Sequence, residues 1–140
     1  MFYDYNLRYC FGHHVYAKGI KVDPAKIEVI AKLPPPINRK GVRSFPGHAG
    51  YDRRFVENFT KVASPLFKLL TKEYEFHWND ECQAAFDTLK ENISSAPVLR
   101  GPDWKFAFHI SIDSSDLAIG EVLGQKEDPV THDIYYVSKI

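Results

Sequence analysis

Between Asn79 and Ser94 apolar residues recur every third or fourth position, at Cys82, Ala85, Phe86, Leu89 and Ile93. After Trp104 they recur every second position, at Phe106, Phe108, Ile110 and Ile112, with Lys105, Ala107, His109, Ser111 and Asp113 between them. The first spacing lines one face of an α-helix and the second lines one face of a strand. The pattern therefore predicts a helix over 79–94, opened by Asp80 and Glu81 where the helix dipole favours negative charge, and then a half-buried strand. Two further strands are expected over 117–125 and 133–138, with turns at 114–116 and at Glu127-Asp128-Pro129.

The first half of the chain is punctuated differently. Residues 7–22 alternate weakly around Gly12 and carry a Lys18-Gly19 turn, the pattern of a β-hairpin. Asp23-Pro24 then offers a capping carboxylate and a proline at the first helical position, starting a short helix with Ile27, Ile30 and Ala31 on its apolar face. Pro34-Pro35-Pro36 ends that helix, because residues before proline avoid the α region. Asn38 caps a second helical stretch, expected over Arg39 to Asn58, with Val42, Phe45, Ala49, Phe55, Val56 and Phe59 at helical spacing. Pro46 lies inside it, at a cost of ~3 kcal/mol, and predicts a kink or break near Phe45. Ser64-Pro65 reads as the start of another helix, running to about Leu70 and burying Leu66, Leu69 and Leu70.

These elements make an α+β chain: a β-hairpin over 1–22, a helical region over 23–96 and a three-stranded antiparallel sheet over 103–140. At 140 residues, 44% apolar and 26% charged, the chain has the size and composition of one ordinary globular domain. No run approaches the ~18 apolar residues needed to span a bilayer, and the start lacks the build of a signal peptide, so an intracellular protein is expected, cytoplasmic or nuclear, with no membrane partner. Cys10 and Cys82 then read as reduced thiols, without the spacing of a zinc site. Net charge is zero, but residues 1–72 carry 13 Lys and Arg against 5 Asp and Glu, and residues 73–140 carry 5 against 13. Arg39, Lys40, Arg43, Arg53, Arg54 and Lys61 fall in the helical region, where they could neutralise phosphates or form a solvated face opposite the acidic half.

Four ordered blocks, CFGHHVYAKGIKVDPAKIEVI, RSFPGHAGYDRRFVENFTKVASPLFKLL, FHWNDECQAAFDTLKENISSAPVL and the segment around Asp113, resemble the polymerase protein of gypsy-type (Ty3-like) LTR retrotransposons. The matched region is the end of the reverse transcriptase palm, the thumb, and the beginning of an RNase H-like domain. The resemblance implies that Phe11, Gly12 and His13 sit on a primer-grip-like hairpin. It places Arg43, Gly50, Arg53, Arg54 and Phe55 in the thumb signature that lies against the template–primer duplex. Asp113 matches the first RNase H carboxylate, a ligand for magnesium or manganese in the full-length family.

The same resemblance puts the polymerase aspartates before this sequence and the remaining RNase H acids after its third strand. Two-metal hydrolysis needs ions ~3.5–4 Å apart, clamped by several carboxylates, and Asp113 alone cannot build that clamp. Asp116 and Glu121 are the acids nearest in sequence, but nothing in the pattern fixes them beside Asp113. His109 shares its strand face, and His13, His48, His77 and His132 show no metal-ligand spacing. Pro46, His48 and Asp52 depart from the thumb signature, Asp52 adding negative charge beside Arg53 and Arg54. The sequence thus predicts a truncated polymerase fragment that needs no cofactor and neither copies nor degrades nucleic acid alone. At most it keeps sequence-independent contact with an RNA–DNA hybrid or DNA duplex through Arg39, Lys40, Arg43, Arg53 and Arg54. Catalysis is expected only with the remainder of a polyprotein, and a relic or recruited interaction module is the third reading. The terminal strands are expected to expose an apolar face unless the 79–94 helix covers them.

Overall fold

A computed structural model describes residues 8–10, 13–16, 18–50, 52–116, 118–127 and 129–139, with the side chains of 8–10, 16 and 46–50 outside the description. Strands β1 (Arg8–Cys10), β2 (His13–Tyr16) and β3 (Gly19–Val22) form an antiparallel meander. The expected hairpin thus has a third strand, because β1 and β3 each pair with β2. Gly19 has φ 135°, and a Cβ there would lie 2.1 Å from the Leu99 carbonyl oxygen. Only glycine allows that approach. It permits an antiparallel bridge from Ile20 to Leu99, with N–H···O distances of 2.8 and 2.9 Å.

Helix α1 (Pro24–Lys32) starts as its sequence dictates: the Asp23 carboxylate accepts from the Ala25 N–H at 3.0 Å, and Pro24 is its first residue. It buries Ile30 and half-buries Ile27, but Ala31 faces water. Helix α2 (Arg39–Gly50) is capped by Asn38, whose side-chain oxygen accepts from Gly41 N–H at 2.8 Å. It runs through Pro46 to Gly50, without the break expected near Phe45. Burial of Val42 and Phe45, each worth ~1.5–3 kcal/mol, opposes the loss of one backbone bond at the proline.

A 3₁₀ turn at Arg53–Phe55 follows, and α3 (Phe59–Lys68) starts six residues before the expected proline, which lies in its interior. Phe59, Thr60, Ala63 and Leu66 are its buried residues, and this apolar face outweighs the start signal of Ser64-Pro65. Asn58, in the left-handed region at φ 53°, turns the chain into α3. Helix α4 (Asp80–Ser94) matches its sequence pattern closely. The Asn79 side chain accepts from Cys82 N–H at 2.9 Å, and Cys82, Ala85, Phe86, Leu89 and Ile93 are buried.

Strands β4 (Phe108–Ser114), β5 (Ile119–Glu127) and β6 (Val130–Lys139) form the second antiparallel sheet in chain order. The register places Phe108, Ile110 and Ile112 of β4 on the face of Gln125, Leu123, Glu121, Tyr135 and Val137. His109, Ser111 and Asp113 share the other face with Gly124, Val122, Gly120, Tyr136 and Ser138.

One cluster of buried apolar residues runs from Val22 and Ile30 through α2, α3 and α4 to Leu99 and Tyr136. Phe86 is its hub, with its ring 4.6 Å from Phe45 and 5.9 Å, edge-on, from Trp78. Helix α4 packs against α3 and α1, while α3 and the 3₁₀ turn lie over β5 and β6. Strand β4 is exposed at every residue instead of half-buried.

Candidate functional site

The basic residues of the helical region divide into those whose charged groups are engaged and those that have no partner among the described residues. The Arg39 guanidinium donates to the Leu69 carbonyl at 3.1 Å and to the Tyr74 carbonyl, tying the start of α2 to the segment after α3. Arg53 donates to Thr60 Oγ1 at 3.0 Å and the Ser138 carbonyl at 2.8 Å, and its guanidinium carbon lies 5.1 Å from the centre of the Phe59 ring. Arg54 sits 5.5 Å over the Tyr135 ring. Lys40 and Arg43, on α2, are exposed, and among the described residues no hydrogen bond or ion pair engages them. A helix places residues three apart on neighbouring positions of its surface, so these two charges project as a pair.

On the hairpin side, Phe11 and Gly12 lie outside the described residues, and His13 is buried. Its Nε2 is 2.9 Å from Asp52 Oδ1, and Lys26 Nζ is 2.9 Å from Asp52 Oδ2. Asp52 is fully buried, and the Phe55 ring lies 5.3 Å from the His13 ring. Three separate elements, β2, α1 and the residue before the 3₁₀ turn, therefore meet on one carboxylate. From the sequence, Asp52 is a departure from the thumb signature that adds negative charge beside Arg53 and Arg54. The signal lacking there was a partner, since Lys26 and His13 are 26 and 39 positions away.

Asp113 sits at the exposed end of β4. Its Oδ2 accepts from Asn58 Nδ2 at 3.3 Å, and the same Asn58 side chain lies over Gly120, where a Cβ would come within 1.9 Å of its oxygen. Glu121 pairs with Ile112, so it points to the opposite face from Asp113. His109 shares the face of Asp113, and Asp116 is exposed in the following turn. Among the described residues no three His, Cys, Asp or Glu side chains stand together as a metal site. With an amide on one oxygen of Asp113 and Glu121 across the sheet, the residues present do not fit a two-metal centre.

Beside this face, the Tyr136 hydroxyl donates to Asp133 Oδ2 at 2.6 Å. Burial, then that hydrogen bond and the negative charges of Asp133 and Glu57, push the phenol well above its ordinary range.

Residues 78–140 match the RNase H-like domain found in reverse transcriptase, a span holding α4 and the whole second sheet. Over 116 residues, 83% of its length, the chain is 39% identical to the Pol polyprotein of feline endogenous virus ECE1. It is 36% identical over 121 residues to the retrovirus-related Pol polyprotein from transposon 297 of Drosophila melanogaster. The chain is homologous to the reverse transcriptase and RNase H region of Pol polyproteins. It spans 11% of the length of each of these two Pol relatives. The Pol fold is shared with the foamy viral protease-reverse transcriptase dRH in complex with double-stranded DNA, at a TM-score of 0.79 and 18% identity, over 96% of this chain and 24% of that one. The foamy viral protease-reverse transcriptase in complex with RNA/DNA hybrid superposes with a TM-score of 0.77, also at 18% identity, over 96% of this chain and 18% of its own length.

Among the described residues no helix of this Pol homologue is long and apolar enough to cross a membrane.

Proposed function

We propose that this chain holds duplex nucleic acid by its phosphates, without reading sequence, as the thumb-side part of a Pol protein from a gypsy-type retrotransposon. The observation that carries the reading is the exposed, unengaged pair Lys40 and Arg43 on a capped helix. Cations that neutralise phosphates release the counterions held there, and the contact is indifferent to base sequence. The similarity to reverse transcriptases holding double-stranded DNA and RNA/DNA hybrid supports the same partner. Similarity to the Drosophila transposons 297 and 412 supports the retrotransposon origin.

In this reading Phe11, Gly12 and His13 hold the primer end, and the carboxylate of Asp52 sets the position of that hairpin through His13. Arg39, Arg53 and Arg54, with their guanidinium groups already engaged, shape the surface on which Lys40 and Arg43 act. The divisions 1–22, 23–96 and 103–140 are its palm-end, thumb and RNase H-like parts, working inside the cell. RNA-directed DNA synthesis and magnesium- or manganese-dependent RNase H cleavage belong, in this proposal, to a longer Pol chain that supplies the other acids.

Fluorescence anisotropy with a labelled RNA–DNA hybrid across a salt series tests the reading. Binding should weaken steeply with salt, and Lys40→Ala/Arg43→Ala should lower the slope of log affinity against log salt by about 2, as for two phosphates at ~0.9 each. No binding at low salt, or a slope unchanged in the double variant, overturns it.

A further inference from the structure

We infer that α3 takes its N-terminal cap from the sheet, through Ser138, and that Asn58, released from that duty, is the positioning residue for the carboxylate of Asp113. The register sets Asp113 of β4 opposite Gly120 of β5, and Gly120 opposite Ser138 of β6. The three stand side by side on one face of the sheet, since residues directly opposite in a ladder share a face. The chain between the 3₁₀ turn and α3 meets all three.

Asn58 holds the position from which a side chain ordinarily caps a helix, yet it makes no capping bond to α3. Its amide lies on the sheet instead. Nδ2 donates to Asp113 Oδ2 at 3.3 Å, and Oδ1 takes the space that a Cβ on Gly120 would need. The orphan donor at the start of α3 is met from the other direction: Ser138 Oγ, 78 positions away in sequence, accepts from the Thr60 N–H at 2.9 Å. Arg53 closes the joint. Its Nη2 donates both to Thr60 Oγ1 at 3.0 Å and to the Ser138 carbonyl at 2.8 Å, and the hydroxyls of Thr60 and Ser138 are 2.7 Å apart. Thr60 and Ser138 are buried, so water does not stand in for these bonds when they are lost. A helix whose cap sits on the sheet and a sheet whose carboxylate is held from the helix cannot move apart without breaking both. Given the proposed function, in which a longer Pol chain supplies acids to join Asp113, the helical part sets the direction of that carboxylate.

Both roles are read on the 140-residue chain without nucleic acid, so a failed duplex reading leaves the test standing. By amide hydrogen exchange in NMR, Ser138→Ala should speed exchange at Thr60 about tenfold more than in α4. Ser138→Thr, which keeps the hydroxyl, should hold the native rate to within about threefold. A general loss of stability would speed Thr60 and α4 alike. In urea unfolding, Asn58→Asp sets a second carboxylate against Asp113 and should raise the unfolding constant about fivefold. Asn58→Asp/Asp113→Asn restores a donor and an acceptor and should return the constant to within about twofold. Thr60 exchange that merely follows α4 in Ser138→Ala, no loss on Asn58→Asp, or a failed recovery in the exchanged pair overturns the inference.

Discussion

The helices and the C-terminal sheet place their apolar residues in opposite ways. Across α2, α3 and α4 the side chains of Val42, Phe45, Phe59, Leu66, Phe86, Leu89 and Ile93 are all withdrawn from water, while on the sheet Phe108, Ile110, Ile112, Ile119, Tyr135 and Val137 are exposed. The difference is one of partners. Helix α4 has α3 and α1 against its stripe, whereas α3 and the 3₁₀ turn lie over one face of the sheet and the apolar residues named on its other face are exposed. Stability should therefore reside in the helices, and the sheet should be held by what fastens its inner face to them.

Truncation at the hub separates the two regions most strongly. Phe86→Ala should destabilise the chain by ~3–5 kcal/mol in urea unfolding, because it leaves a cavity among Phe45, Trp78 and their neighbours. Ile112→Ala, removing an exposed apolar side chain from the sheet, should change stability by less than ~0.5 kcal/mol. Equal losses at the two sites would dissolve the comparison.

Asp52→Ala comes next, at ~2–3 kcal/mol, since it leaves Lys26 and His13 without their shared carboxylate. Lys26 keeps some exposure to water, which holds the loss below that of a fully buried pair. Asp52→Ala/Lys26→Met should recover a large part of it, and failure to recover would mean that Asp52 acts through its backbone position alone.

Gly120→Ala sharpens the contrast at the junction. Its methyl group would displace Asn58, at ~1–3 kcal/mol, and Asn58→Gly should relieve the clash in a double-mutant cycle while keeping the positive φ that Asn58 adopts. Purely additive effects would show that the two residues do not touch.

The smallest expected effect is on pH dependence. Tyr136 has its folded-state pKa raised, so the neutral phenol is favoured by folding. That contribution is fully present below the ordinary tyrosine pKa of ~10 and is lost as pH rises above it. Alkaline unfolding curves should fall more steeply for the native chain than for Tyr136→Phe, and parallel curves would mean that folding does not raise the phenol.

How much of this could be read beforehand depended on whether the deciding contact was local. Helix α4 was legible in full, since Asn79, the first-turn acids and five buried positions all lie within its own 16 residues. The start of α1 was legible for the same reason. Pro46 and Pro65 misled, because a proline's local penalty is visible in sequence while the opposing burial of Phe45, Phe59 and Leu66 is not. The alternation of β4 gave its period correctly and its burial wrongly: period reports which residues share a face, and a neighbouring element decides whether that face is covered. At the candidate site the basic residues were visible, but their division was not, because the oxygens that hold Arg39 and Arg53 are backbone carbonyls from Leu69, Tyr74 and Ser138.

The short bridge between Ile20 and Leu99 has a consequence for how the chain is made. Its two ends are about 80 positions apart, so the meander leaves the ribosome long before the segment that completes it, and must wait through the synthesis of all four helices. At the usual pace of translation that interval lasts several seconds, during which the outer rim of β3 is open to any nascent strand nearby.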